Sequence, residues 1–428
     1  MNRLLSAAGL AAAACLALAA CQPPATPDTA TAPTPAVAPA PATAPAADAP
    51  PSAGAKQAPT DYDQLARRLV NDSAAVQEGE IVLITGRARD CELIEALAVN
   101  VRRVGAFPMV LYSSDRLSRR MFFDVPAKFD SQTDAMAMKL AGIVDVVISL
   151  GNAASENLFE GADPERLAAR AKADEPIGMA FLKNNVRTVE VGNNMYPTPW
   201  RAERYGMTQD ELSRAFWGGV NLDYGQLQAR GTQVRDAIAA GDELHITHPN
   251  GTDLTMRLQG RKVLVSDGII SEADRKAGGP ALAAYLPAGE VYTTPVPGTA
   301  QGKLVHTRSF YQGKPIDNLT LTVSDGKVTS MTGSGPGYAA FKAEYDAVDD
   351  KRKDLIGFID FGINPNVTLP AKSQVGNWMP AGAVTVGTGG NAWAGGENSM
   401  PYGIVVFLPG ATVTLDGKPV VEKGALKL

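Results

Sequence analysis

With 428 residues, 45% of them hydrophobic and 20% charged, the chain has the size and polarity of a folded protein of one or two domains. A formal net charge of −5, a pI near 5.4 and the lack of a basic stripe exclude a nucleic-acid partner. Three cysteines and three histidines exclude a disulfide framework and leave little material for an imidazole-rich metal centre.

At the start of the chain, Arg3 precedes an apolar run over residues 4–20 that ends in Leu18-Ala19-Ala20-Cys21. The run is too short to span a bilayer comfortably, and a cysteine directly after small residues is what diacylglyceryl transfer requires, so residues 1–21 are expected to be a lipoprotein signal with its lipobox. Cys21 is the expected lipidation site, carrying palmitate-type acyl chains. Gln22 in the next position points to sorting to the bacterial outer membrane, with the lipid-anchored protein facing the periplasm. Cys15 leaves with the signal, and Cys91 remains as the thiol of the mature chain.

Residues 22–60 are Pro, Ala and Thr with scattered Asp, too poor in branched and aromatic side chains to bury a core. This stretch is expected to be a disordered, extended tether between membrane and fold.

A helix carrying Leu65, Leu69 and Val70 then leads into the glycine-bounded apolar run 79–86, a buried strand. Leu93, Ile94, Leu97 and Val101 recur at helical spacing up to Gly105, and Phe107-Pro108-Met109-Val110-Leu111-Tyr112 is the next strand. Strand, helix, strand with short glycine turns is a parallel α/β unit, and residues 143–150 and 187–191 add two further strands. Residues 61–240 are therefore expected to form a doubly wound α/β domain. Glycines at dinucleotide-binding spacing are missing after the first strand, which argues against NAD. Thr208 and Glu211 form a capping box opening a helix; Tyr196 and Trp200, just upstream, are placed either in a cleft or in interdomain packing.

From Leu244 the pattern changes to short alternating strands joined by Asn-Gly and Asp-Gly turns, as in the strand 319–324 followed by Asp325-Gly326. Residues 241–428 are expected to be a β-rich α+β domain with helix near 338–350. His245 and His248, three apart, face opposite ways on a strand and cannot chelate one ion. They and the lone His306 read as ordinary strand or turn histidines.

Within this domain occur Gly251-Thr252-Asp253-Leu254, Leu286-Pro287-Ala288-Gly289-Glu290-Val291-Tyr292-Thr293-Thr294-Pro295, Gly362-Ile363-Asn364-Pro365 and Gly395-Gly396-Glu397-Asn398-Ser399. In order and rough spacing these motifs resemble those of the thermophilic metalloaminopeptidases, the aminopeptidase T and aminopeptidase S type. The resemblance implies that fold from about residue 62 to the end, self-association as a homodimer, and a pair of divalent cations about 3.5–4 Å apart that polarise a scissile carbonyl and supply hydroxide. It also implies ligands on four segments. Of those, Glu290 is kept. The second glutamate falls on Phe358, with Asp360 two residues on and on the same strand face. Thr385 stands at the first histidine position, Tyr402 at the second, and Ile404 at the closing aspartate.

Glu290 and Asp360 are the metal-ligand candidates, and Thr385, Asn391, Glu397 and Tyr402 the cleft candidates; no cofactor and no catalytic residue is assigned. Ile and Phe never coordinate a metal and Thr seldom does, so the expectation is an envelope lipoprotein with a degenerate two-metal site that binds a peptide or small molecule without hydrolysing it. The alternative is an active hydrolase with a rebuilt site in which Glu290, Asp360 and Glu397 hold a divalent cation such as Mg, Ca or Mn, and Tyr402 donates to a developing oxyanion.

Overall fold

A computed structural model describes residues 61–151, 155, 158–370, 373 and 375–428; the signal with Cys21 and the 22–60 tether lie outside the described residues. The chain is mixed α/β. Strands β1 (Ile81–Arg87), β2 (Phe107–Ser113), β3 (Val146–Leu150) and β4 (Arg187–Val191) pair in parallel, and a later strand, β8 (Ala283–Leu286), completes the sheet in the order β2-β1-β3-β4-β8. Alternation along the strands splits the side chains between two layers. Val82, Ile84, Val146 and Ile148 pack with Leu65, Leu93 and Leu97 from the helices Tyr62–Arg68 and Cys91–Arg103. Leu83 and Val147 pack with Ala137, Leu140 and Ile177 from the helices Ala135–Leu140 and Pro164–Lys183. The expected doubly wound arrangement is thus present, but the chain after residue 240 returns to it through β8.

The edge strand β2 is guarded. Phe107 N–H donates to Glu80 O at 2.7 Å, so the next backbone nitrogen points outward, and that residue is Pro108, which has no N–H to offer another strand.

The rest of the chain is largely antiparallel. Strands β5 (Glu243–Thr247), β6 (Asp253–Arg257), β10 (Gln301–Tyr311), β11 (Lys314–Ser324), β12 (Lys327–Ser334), β16 (Thr412–Leu415), β17 (Lys418–Glu422) and β18 (Ala425–Leu426) form an eight-stranded sheet. Its hairpin at Asp325-Gly326 has φ of 50° and 73°, the double left-handed turn whose twist matches flanking strands. Gln312-Gly313, Asp416-Gly417 and Lys423-Gly424 turn the same way. The third sheet, order β15-β14-β13-β9-β7, consists of β7 (Val263–Ser266), β9 (Glu290–Thr293), β13 (Ile356–Gly362), β14 (Val384–Thr388) and β15 (Val405–Phe407). One face of it, with Val291, Ile359, Phe361, Val384, Val386 and Val406, belongs to the main core. The other face carries the candidate site.

His245 and His248 diverge as expected. His245 Nε2 lies 2.8 Å from Asp253 Oδ1, while His248 Nε2 meets Pro409 O at 2.8 Å. His306 is buried on β10 with its ring 6.0 Å from Phe407, and burial lowers its pKa to about 4.

Candidate functional site

Residues directly opposite on paired strands share a face, so the registers place the side chains of the third sheet in rows. One row reads Leu264, Tyr292, Asp360, Thr385, Phe407 across all five strands. The next row holds Ser266, Glu290 and Gly362, and the row on the opposite flank holds Phe358, Gly387 and Val405. Glu290 and Asp360 therefore occupy diagonal positions on one face, a separation of about 7–8 Å or less by sheet geometry. Both are fully buried.

Glu290 sits at the start of β9, just after the crossover from the parallel sheet. A Cβ at Gly289 would collide with the Asn364 backbone, and its φ of +125° suits glycine. Ile363 N–H donates to Gly289 O at 2.8 Å, and Asn364 Nδ2 donates to Ala288 O at 2.6 Å, fixing the crossover against β13. The carboxylate itself accepts from Asn193 Nδ2 at 2.6 Å. Asn193 follows β4, so a residue of the parallel sheet reaches the site.

The other flank is packed with rings. Phe358 lies over Gly387, where any Cβ would strike its ring, and meets Trp393 at a centroid distance of 4.8 Å. Trp393 also stacks at 5.1 Å on Tyr292, and Leu264 and Ala394 close the cluster. Thr385 is buried opposite Asp360, and its hydroxyl has no hydrogen-bond partner among the described residues. Ile404 belongs to the main core.

The remaining candidates go elsewhere. Tyr402 packs with its ring 6.0 Å from Tyr345, beside the buried Glu344 of the helix Tyr338–Ala347, where Tyr311 donates to Glu344 Oε2 at 2.5 Å. Burial, and then the Glu344 charge, raises the Tyr402 pKa, and burial likewise raises that of Glu344. Asn391 organises a loop: its Nδ2 donates to Gly357 O at 3.0 Å, and its Oδ1 accepts from Asn398 N–H at 2.8 Å. Glu397 is exposed at the surface of that loop. Tyr196 donates to Asp90 Oδ1 at 2.8 Å and packs on Phe216, and the half-buried Trp200 lies under the Arg201 guanidinium, 4.4 Å from its ring.

Among the described residues, no three of His, Cys, Asp and Glu gather in a group that would hold a metal ion. The two clustered acids face a threonine and an aromatic wall where further donors would be needed, and this donor set does not fit a pair of divalent cations. Sequence reasoning missed Asn193, Trp393 and Glu344. Their roles depend on contacts between segments far apart in the chain, and none has a local signature.

A family model described as thermophilic metalloprotease (M29) matches residues 59–343. The chain belongs to that family. Among solved structures, wild-type AmpT from Thermus thermophilus aligns with a TM-score of 0.64 at 16% identity, over 86% of this chain and 99% of that one. The structure of 2,5-dihydroxypyridine dioxygenase from Pseudomonas putida KT2440 aligns with a TM-score of 0.53 at 16% identity, over 85% of this chain and 96% of that one. Both likenesses concern the fold. Comparison with curated proteins finds no match. For this M29 member the family match ends at residue 343, ahead of β13, β14 and the 399–404 loop.

Proposed function

We propose that this M29-family protein uses the aminopeptidase scaffold to bind a peptide or small molecule and does not hydrolyse it through a two-metal centre. The observation that carries the reading is the aromatic cluster of Phe358, Trp393 and Tyr292, which fills the flank of the sheet face that bears Glu290 and Asp360. The end of the family match before the altered strands supports it as well. A metalloprotease-family chain that shares its fold with a protein titled as a dioxygenase leaves chemistry to the site residues.

The test is hydrolysis of a panel of aminoacyl anilides by the tether-free protein, with and without chelator. No chelator-sensitive activity is expected; activity lost in chelator and restored by added metal would overturn the reading. A second reading, a hydrolase with a rebuilt carboxylate site, draws on the placement of Glu290 and Asp360 on one buried face. Glu397, exposed in its loop, does not join them.

For location, the proposal remains a lipid anchor at Cys21 in the bacterial outer membrane, facing the periplasm. Cys21→Ser should move the protein from the membrane pellet to the soluble fraction. A variant that still pellets after a salt wash would refute the anchor. Self-association as a homodimer is carried as a proposal from the family resemblance.

A further inference from the structure

The loop Gly192-Asn193-Asn194 leaves the carboxyl end of β4 in an unusual backbone. Asn193 has φ of +36° and Asn194 of +63°, two successive non-glycine residues in the left-handed region. Such a conformation persists only where surrounding contacts hold it. Here Tyr205 donates its hydroxyl to Asn194 O at 3.3 Å, and Asn377 Nδ2 donates to that same hydroxyl at 2.5 Å. Asn193 Nδ2 donates both to Glu290 Oε1 at 2.6 Å and to Pro287 O at 3.1 Å. Two oxygen acceptors around one terminal atom are compatible only with the amide nitrogen there, so the orientation of the group is fixed by its surroundings. Asn193 and Glu290 are both buried, one in the loop after β4 of the parallel sheet and the other in β9 of the third sheet, 97 residues apart in the chain.

We propose that Asn193 is a positioning residue for Glu290: through its amide, the loop that follows β4 of the parallel sheet helps to orient the carboxylate on the face where ligand is captured. The ligand clause rests on the binding reading above; the positioning itself does not. The backbone of Gly289 and Glu290 is held independently, by Gly289 N–H donating to Ser266 O at 2.9 Å and by the Ile363 bond to Gly289 O. Loss of the amide therefore removes a 2.6 Å contact from the carboxylate and changes its setting while β9 stays in place.

Two variants separate side chain from backbone. Asn193→Gly adopts the left-handed turn freely but has no amide, and Asn193→Asp keeps the shape but offers an acceptor where a donor is needed. In protein labelled with carbon-13 at the glutamate side-chain carboxyl, the Glu290 resonance is the one lost in Glu290→Gln. The expected result at constant pH is that this resonance moves in both Asn193 variants while the other glutamate resonances stay. The double variant Asn193→Asp with Glu290→Gln exchanges donor and acceptor across the contact with residue 290 but not toward Pro287 O, so it should recover part of the melting temperature lost by Asn193→Asp alone. An unmoved Glu290 resonance in Asn193→Gly, or no recovery in the double variant, would overturn the proposal. Should the wild type bind none of a panel of dipeptide amides, the binding reading falls, and the carboxyl resonances still decide the role of Asn193.

Discussion

The two flanks of one sheet face differ in character: one is polar, the other ringed. On the β9 flank, Glu290 keeps a polar setting, with Asn193, Asn364 and the Gly289 crossover locked together by hydrogen bonds. On the β13–β14 flank, the positions implied as metal ligands hold Phe358 and Thr385, and Phe358, Gly387 and Trp393 interlock as hydrophobic packing. The strands pair the same way on both flanks, because backbone ladders and the core face of Ile359, Phe361, Val384 and Val386 hold the sheet without help from the site. The difference teaches that the scaffold and the chemistry of this fold are separable. A sheet closed by its core face can carry buried acids on one flank of the other face and packed rings on the other.

The largest expected effect lies on the packed flank. Phe358→Ala removes a buried ring from a tight aromatic contact and should lower unfolding free energy by about 3–5 kcal/mol in denaturant titration. A loss under about 1 kcal/mol would mean that the ring packs loosely and that the flank is not sealed.

The second effect is at the far end of the Asp360–Thr385–Phe407 row, where His306 packs against Phe407. Burial holds His306 neutral, with its pKa at about 4 against an ordinary 6.5. Between those values the unfolded chain binds the extra proton, so stability present above pH 6.5 is lost as pH falls toward 4, by ~3 kcal/mol for this group. Comparing wild type with His306→Leu across pH 4–7 isolates it: the variant should lose less stability on acidification. Parallel curves would show that His306 does not carry the dependence.

Much of this architecture was legible in the chain. A glycine-bounded apolar run marked β1, short β-rich segments marked β2 to β4, and Asp325-Gly326 marked its hairpin, because those signals lie within a few residues of the structure they dictate. The return of the chain to the parallel sheet through β8 was not legible. Ala283–Leu286 is four residues long, and its partner β4 ends nearly a hundred residues earlier. At the site, the family resemblance implied that Glu290, Asp360 and Thr385 stand at one site, and period-2 alternation put Asp360 on the same strand face as Phe358. It gave no sign that Tyr402 would pack beside Glu344 or that Asn391 would tie down a loop, both of which depend on where other elements arrive.

The smallest effect is the control. Glu397→Ala changes an exposed loop carboxylate and should alter stability by no more than about 0.5 kcal/mol. A larger loss, or an effect on any binding or hydrolysis found, would return Glu397 to the site and blur the contrast between the flanks.

The central claim, that the residues of this face do not hold a metal pair, is tested most directly by elemental analysis of the purified protein after equilibration with zinc, cobalt, manganese or magnesium and removal of unbound ion. The account predicts no stoichiometric retention of any of the four. Two ions retained per chain, released by Glu290→Gln or Asp360→Asn, would contradict it.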